Sequence, residues 1–198
     1  MDEGYIKYHC HWDERQCITP EEIDTINHWR EILCEHGLIG MLSNGIGFGN
    51  ISIRQDNNIF LISGSATGGI PKLDETHYSR VTSFNLGKNE LCCKGQTIAS
   101  SESLTHAALY AIDPAIQSVV HVHHREGWLK GLHRLPTTPA DIAYGTPEMA
   151  AAVQSCYSQY KHTGNLIFMA GHEDGIISVG HTPEQAVGFL LQLFQEVS

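Results

Sequence analysis

Apolar and polar residues follow two rhythms along this chain, and together they outline a layered α/β fold. Ile23, Ile26, Trp29 and Leu33 recur at helical spacing, and Gly37 supplies the stop. Ahead of them, Thr19-Pro20-Glu21-Glu22 combines an N-cap threonine, a proline at the first helical position and a capping-box acceptor. Thr182-Pro183-Glu184-Gln185 repeats the signature before Ala186, Phe189, Leu190 and Leu193, a second one-sided helix. Thr146-Pro147-Glu148 has the first two parts but Met149 in the acceptor place, so its helix start is the weaker one. A further helix is expected from near Glu102 through the apolar run Ala107–Ile112, closing before Pro114.

Between these lie strand-like runs. Ile51-Ser52-Ile53-Arg54 alternates, and after the turn residues Asp56-Asn57-Asn58 comes the buried-type run Ile59-Phe60-Leu61-Ile62. Ser79 to Phe84, Ser118 to His123, Leu166 to Ala170 and Ile176 to Val179 complete the set. Neighbouring runs joined by turn-length links predict antiparallel pairing. The expected fold is α/β, a layered sandwich with a central, mainly antiparallel β-sheet flanked by helices. No repeat or long linker interrupts it, so residues 1–198 read as a single domain, with 1–18 as an N-terminal extension.

Composition narrows the function. The longest apolar run is the six residues Ala107–Ile112, and a membrane span needs about 18, so no membrane partner is expected. The polar start MDEGYIKYHCHWDER lacks the apolar stretch of a secretory signal, which predicts a cytoplasmic protein. A formal charge of −10 argues against nucleic acid, whose phosphates need a basic face. The six cysteines include no CxxC pair, and free thiols are expected. His9-Cys10-His11 with Cys17 offers metal-type side chains, but closed zinc sites usually draw on two separated ligand pairs.

The 13 histidines outnumber the 12 lysines and arginines, and one segment gives them a chemical meaning. In Ser118-Val119-Val120-His121-Val122-His123-His124, alternation puts His121 and His123 on one strand face, with Val120 and Val122 on the other. Two imidazoles on one face can share a zinc ion, while His124 points away. A structural or surface histidine pair would give the same spacing. His172 follows the buried-type run Leu166–Ala170 and is placed to be a third ligand. Glu102 stands at a predicted helix start, where a carboxylate either exchanges a proton or simply favours the helix dipole.

Taken in order, Ser100-Ser101-Glu102-Ser103-Leu104-Thr105-His106, His121-Val122-His123 and His172 resemble the class II aldolase/adducin family. Gly49-Asn50-Ile51-Ser52-Ile53-Arg54 and Tyr144-Gly145-Thr146-Pro147-Glu148 strengthen the likeness, which spans roughly Ile23 to Val187. The resemblance implies that His121, His123 and His172 hold a divalent metal, Zn2+ first among the choices, and that Glu102 is the acid/base. It implies a lyase that cleaves or forms a C–C bond in a small sugar or sugar-phosphate through an enediolate. It also implies a homo-oligomer, commonly a tetramer, with sites at subunit boundaries. A substrate phosphate would rest on Gly49 and Asn50, Thr67 and Gly68, and Ser100 and Ser101, although such residues are also ordinary turn formers. His106, one turn after Glu102, would either orient that glutamate or simply pack.

The sequence departs from the family at three places. Ile62–Gly68 is longer than the usual phosphate loop, so Ser65 competes with Thr67 for its role. Glu173-Asp174 intervenes between His172 and Gly175, where the family has glycine directly after the histidine. The stretch from Trp128 to Ala143 is short, and the segment that supplies the sugar-phosphate aldolases with a catalytic tyrosine is missing; Tyr144, His133 and Arg134 are the nearby candidates for substrate contact. Epimerase or dehydratase chemistry at the same metal, and a non-catalytic assembly module like adducin's, stand as alternatives.

Overall fold

The computed structural model describes residues 4–161 and 164–195. The expected domain's outermost residues, 1–3 and 196–198, lie outside the described residues. In chain order the elements are β1 (His9–Asp13), α1 (Pro20–Glu35), β2 (Gly40–Met41), β3 (Gly47–Phe48), β4 (Asn50–Asp56), β5 (Ile59–Ser63), β6 (Tyr78–Asn85), β7 (Glu90–Lys94), α2 (Ser103–Ile112), β8 (Ser118–His123), α3 (Arg125–Gly131), α4 (Pro147–Tyr160), β9 (Leu166–Phe168), β10 (Gly175–Gly180) and α5 (Pro183–Gln195). Eight strands form one sheet in the order β1-β7-β6-β5-β4-β8-β10-β9, and β2 with β3 forms a separate hairpin. All neighbours in the large sheet are antiparallel except β1 and β7, which run parallel. The mainly antiparallel α/β layering expected from the sequence is the fold observed.

Strand alternation splits the core in two. Val119, Ile177 and Val179 join Leu104, Leu109, Met149 and Val153 under α2 and α4. Val120, Val122 and Ile176 join Ile26, Leu33, Val187 and Leu190 under α1 and α5. The helices therefore sandwich the sheet, as apolar faces must be covered on both sides.

The caps follow the sequence with local adjustments. The Glu22 carboxylate accepts from the Thr19 N–H at 2.9 Å, and Thr146 Oγ1 accepts from the Met149 N–H at 3.2 Å even without a reciprocal partner. At α5, Thr182 Oγ1 accepts from the Gln185 N–H, but the Gln185 side chain takes the N–H of His181 rather than that of Thr182. α2 begins at Ser103 and ends at Ile112, as Pro114 requires. Arg54, at the far end of the alternating β4 run, donates to the carbonyls of Tyr110 and Asp113 at 2.9 Å each. It thereby fixes the C-terminal end of the helix whose other end carries Glu102.

Some expectations shift. The run Leu166–Ala170 is a strand only to Phe168, because the Met169 N–H turns to the Gly175 carbonyl at 3.0 Å and begins a tight turn. Residues 9–13, read as part of an extension, form an edge strand of the sheet. On it Cys10 faces Cys93 with sulfurs 3.4 Å apart, while His9 and His11 are exposed on the other side. The only metal-type cluster among the described residues is elsewhere, so a zinc site at residues 9–17 has no geometric support. On β7, Cys92 and Cys93 alternate across the sheet, with Cys93 in the core. The segment after His124 forms α3, which no sequence signal announced.

Candidate active site

His121 and His123 project from the same face at the end of β8, and the turn between β9 and β10 delivers His172 to them. The Nε2 atoms of His121 and His123 are 3.2 Å apart, and those of His172 and His123 are 2.8 Å apart. Two nitrogens bound tetrahedrally to one zinc at ~2.0–2.1 Å lie about 3.3 Å from each other, so the spacing suits a shared cation. The rings meet edge to face with centroids 4.7 to 5.0 Å apart. His121 and His172 are buried and His123 is half-buried, so the centre opens toward solvent on the side of His123. Burial, followed by the neighbouring imidazoles of His123 and His172, drives the His121 pKa well below its ordinary value. A neutral imidazole is the form that binds metal.

The backbone makes this convergence possible. Gly175 sits across from His123 in the β10–β8 register, and a Cβ there would lie 2.7 Å from His172 Cδ2 and 3.2 Å from His121 Cε1. The two residues absent from the usual family turn are accommodated by Asp174 at φ +65°, whose carbonyl accepts from the His124 N–H. His124 itself faces the other way: its Nδ1 accepts from the Gly127 N–H at 2.9 Å to cap α3, and its ring packs on Phe194.

Glu102 stands at the N-cap position of α2 and makes no capping hydrogen bond with its side chain. It is 1% exposed, and its Oε1 lies 3.9 Å from His172 Nδ1. The turn that places it is tied down by the Ser100 hydroxyl, which accepts from the Glu102 N–H, and by Tyr8, whose hydroxyl donates to the carbonyls of Ala99 and Ser100. His106 is fully buried with Nδ1 2.8 Å from Ser52 Oγ, which is in turn 2.8 Å from the Tyr110 hydroxyl. Desolvation alone pulls its pKa down to about 3.

The six residues expected to hold a substrate phosphate come together. Gly49, Asn50, Thr67, Gly68, Ser100 and Ser101 line one small polar pocket, joined by Gly4, Gly47 and Gly64–Ala66. Thr67 Oγ1 donates to the Gly64 carbonyl at 2.8 Å, so its hydroxyl shapes the loop. Ala66 takes the left-handed conformation at φ +61°. The backbone amides of Ala66, Thr67, Gly68 and Gly69 make no hydrogen bond among the described residues. Successive unpaired amides around a left-handed residue form an anion-binding concavity.

Sequence reasoning assigned Tyr144 no definite role, yet its ring meets that of His172 edge to face at 4.4 Å, and Lys7 Nζ lies over the Tyr144 ring at 3.9 Å while donating to its carbonyl. Phe48, from the small hairpin, flanks His123 at 5.4 Å. His133 and Arg134 are exposed on the turn after α3. Tyr144, two residues ahead of the Thr146 cap, His133 and Arg134 were all candidates in the sequence, whereas Phe48 carried no signal there.

A helix-covered antiparallel sheet with a three-histidine centre and a carboxylate beside it defines the class II aldolase type of α/β protein. The profile of the Class II Aldolase and Adducin N-terminal domain matches residues 42–195, and the chain belongs to that family. Solved structures of the same fold include an L-fuculose 1-phosphate aldolase, 18% identical with TM-score 0.66, covering 91% of this chain and 84% of that one. Another is the L-fuculose-1-phosphate aldolase from Thermus thermophilus, 21% identical with TM-score 0.60, covering 87% and 89%. A third is a sugar-phosphate aldolase from Thermotoga maritima, 15% identical with TM-score 0.66, covering 89% and 92%. No curated protein matches the chain by sequence. No helix among the described residues is long and apolar enough to cross a membrane.

Proposed function

We propose that this protein is a metal-dependent lyase of the class II aldolase type, acting on a small hydroxy-ketone sugar or its phosphate. The observation that carries the reading is the convergence of three imidazole nitrogens, at 3.2 and 2.8 Å, beside a buried glutamate 3.9 Å from the third ring. His121, His123 and His172 would hold the ion, with Zn2+ favoured by an all-imidazole donor set. When bound, the ion supplies Lewis-acid stabilisation of the negative charge that develops as the C–C bond breaks.

The chain's own groups do the rest. Glu102 takes the proton of the substrate hydroxyl during cleavage, or returns it in synthesis, from a site where water is largely excluded. The amides of residues 66–69, with Ser100, Ser101 and Asn50, receive the anionic end of the substrate. Gly49 brings the backbone close enough to let Asn50 face that pocket. The same reading includes a cytoplasmic homo-tetramer with sites at subunit boundaries, checked by light scattering of the purified protein.

The decisive experiment incubates Zn2+-loaded protein with a panel of ketose phosphates and identifies the products. Release of an aldehyde and a three-carbon ketone fragment supports the lyase. An isomeric product would assign the site to epimerisation instead, and loss of water to dehydration. Failure to retain any divalent ion at near-stoichiometric level after reconstitution would leave the adducin-like assembly module.

A further inference from the structure

One buried charge takes no part in that chemistry. Arg30 occupies the apolar face of α1 with Ile23, Ile26 and Leu33, and is 1% exposed. Its guanidinium has no carboxylate partner among the described residues. Nη2 instead donates to the carbonyls of Thr67 at 2.8 Å, Ile70 at 2.9 Å and Gly68 at 3.3 Å, and Nη1 to that of Pro71 at 3.4 Å. An unpaired buried cation is costly, so carbonyl dipoles alone leave positive charge uncancelled here.

The peptide plane links this charge to the pocket. Within one planar trans unit the C=O and N–H point in opposite directions. Drawing the carbonyls of Thr67 and Gly68 toward Arg30 therefore turns the N–H groups of Gly68 and Gly69 away from it. The loop is seated closely on the β2–β3 hairpin, where only glycine fits: a Cβ at Gly68 would lie 2.6 Å from the carbonyl oxygens of both Gly40 and Phe48. The pocket lining itself contains no lysine or arginine. An anion there meets amide dipoles in front and the guanidinium behind the same peptides.

We propose that Arg30 is the positioning residue and hidden counter-charge of the glycine loop, and that it makes the pocket selective for a multiply charged tetrahedral oxyanion, the phosphate end of a small sugar. The inference rests on reading that pocket as the anion site. It explains why a charged side chain stands in the apolar stripe of α1.

The test uses Zn2+-loaded protein and inorganic phosphate, with affinity measured by calorimetry and the amides of residues 66–69 followed by hydrogen exchange. Wild type is expected to bind phosphate and to slow exchange at those amides. Arg30→Met should keep its metal and lose about tenfold or more in phosphate affinity, with binding of neutral dihydroxyacetone unchanged. Arg30→Lys keeps the charge but not the fork of donors, and should recover part of the loss. If Arg30→Met does not fold, Arg30→Lys carries the test, with an expected affinity loss of about threefold and faster exchange at residues 66–69. Phosphate affinity within twofold of wild type in the folded variants overturns the proposal, as does parallel loss of metal and phosphate, which would mark a general structural role. A wild-type protein that binds metal but no phosphate removes the anion reading of the pocket, and this inference with it, while leaving the metal centre standing.

Discussion

Asn50 stands directly across from His121 in the β4–β8 register, so the residue that walls the polar pocket is paired to one of the three clustered histidines. The two halves of the candidate site are thus joined by one rung of the sheet. On the other side, Ser101 lines the pocket and Glu102, its neighbour, faces His172. A substrate bridging metal and pocket would be held between adjacent residues on two separate elements.

Gly49 makes that rung possible. It has φ +76°, and a Cβ would lie 2.8 Å from Ile39 Cγ1, 3.1 Å from the Leu38 carbonyl and 3.2 Å from that of His121. Gly49→Ala is expected to destabilise the fold by about 1–3 kcal/mol, since strained backbone and overpacking act together. Urea denaturation measures the loss, and metal titration of the surviving folded protein should show weaker binding. A variant with unchanged midpoint and metal affinity would contradict the packing argument.

The two adjacent histidines at the end of β8 should behave differently. His123→Ala removes one of three converging nitrogens and should abolish stoichiometric metal binding. His124→Ala should retain the metal and cost about 1 kcal/mol of stability, the usual penalty for losing an N-cap acceptor. Elemental analysis of both purified variants decides the matter; comparable metal loss in the two would refute the assignment by strand face.

Glu102→Gln keeps the size of the side chain and removes its basicity. With the ring set intact, metal content should stay near that of wild type while turnover falls by about 10²–10⁴, the range for a lost general base. Steady-state rates on the substrate found in the product screen provide the measurement. Undiminished turnover would assign the proton to another group.

Burial of His106 sets a pH dependence. Its folded pKa is depressed to about 3, whereas an unfolded histidine titrates near 6.5. Between those values the unfolded chain takes up a proton that the folded chain does not. The contribution is therefore fully present above about pH 6.5 and is lost as pH falls toward 3, at up to about 1.4 kcal/mol per pH unit. Urea midpoints compared at pH 7, 6 and 5 should fall more steeply with falling pH for metal-free wild type than for His106→Gln. Parallel pH profiles would show that His106 contributes nothing to the slope.

What could be read from the chain depended on how local the determining interaction is. α1 and α5 announce themselves because their caps and apolar faces are written within one short window. α3 does not: it is seven residues long, contains two glycines, and is capped by a histidine rather than by serine, threonine, aspartate or asparagine. β1 carries no strand pattern of its own and becomes an edge strand by pairing with β7, roughly eighty residues away, while β7 itself is already held by its neighbour β6. Ala170 was read as strand on its hydrophobicity, and only the approach of Gly175 shows why the ladder stops at Phe168.

The sequence by itself determined the layered α/β architecture, the shared face of His121 and His123, and, through the order of its motifs, the set of residues worth joining. Those features follow from backbone periodicity and short-range capping, which need no knowledge of the rest of the chain. The tertiary structure alone decided that His172 reaches the β8 pair, that His106 Nδ1 meets Ser52, and that Tyr144 lies against a candidate ligand. It alone shows Arg30 beneath the glycine loop, although a charge in an apolar stripe was a signal open to view. Each of these depends on distances between segments far apart in the chain, set by which faces the sheet and its helices bury together.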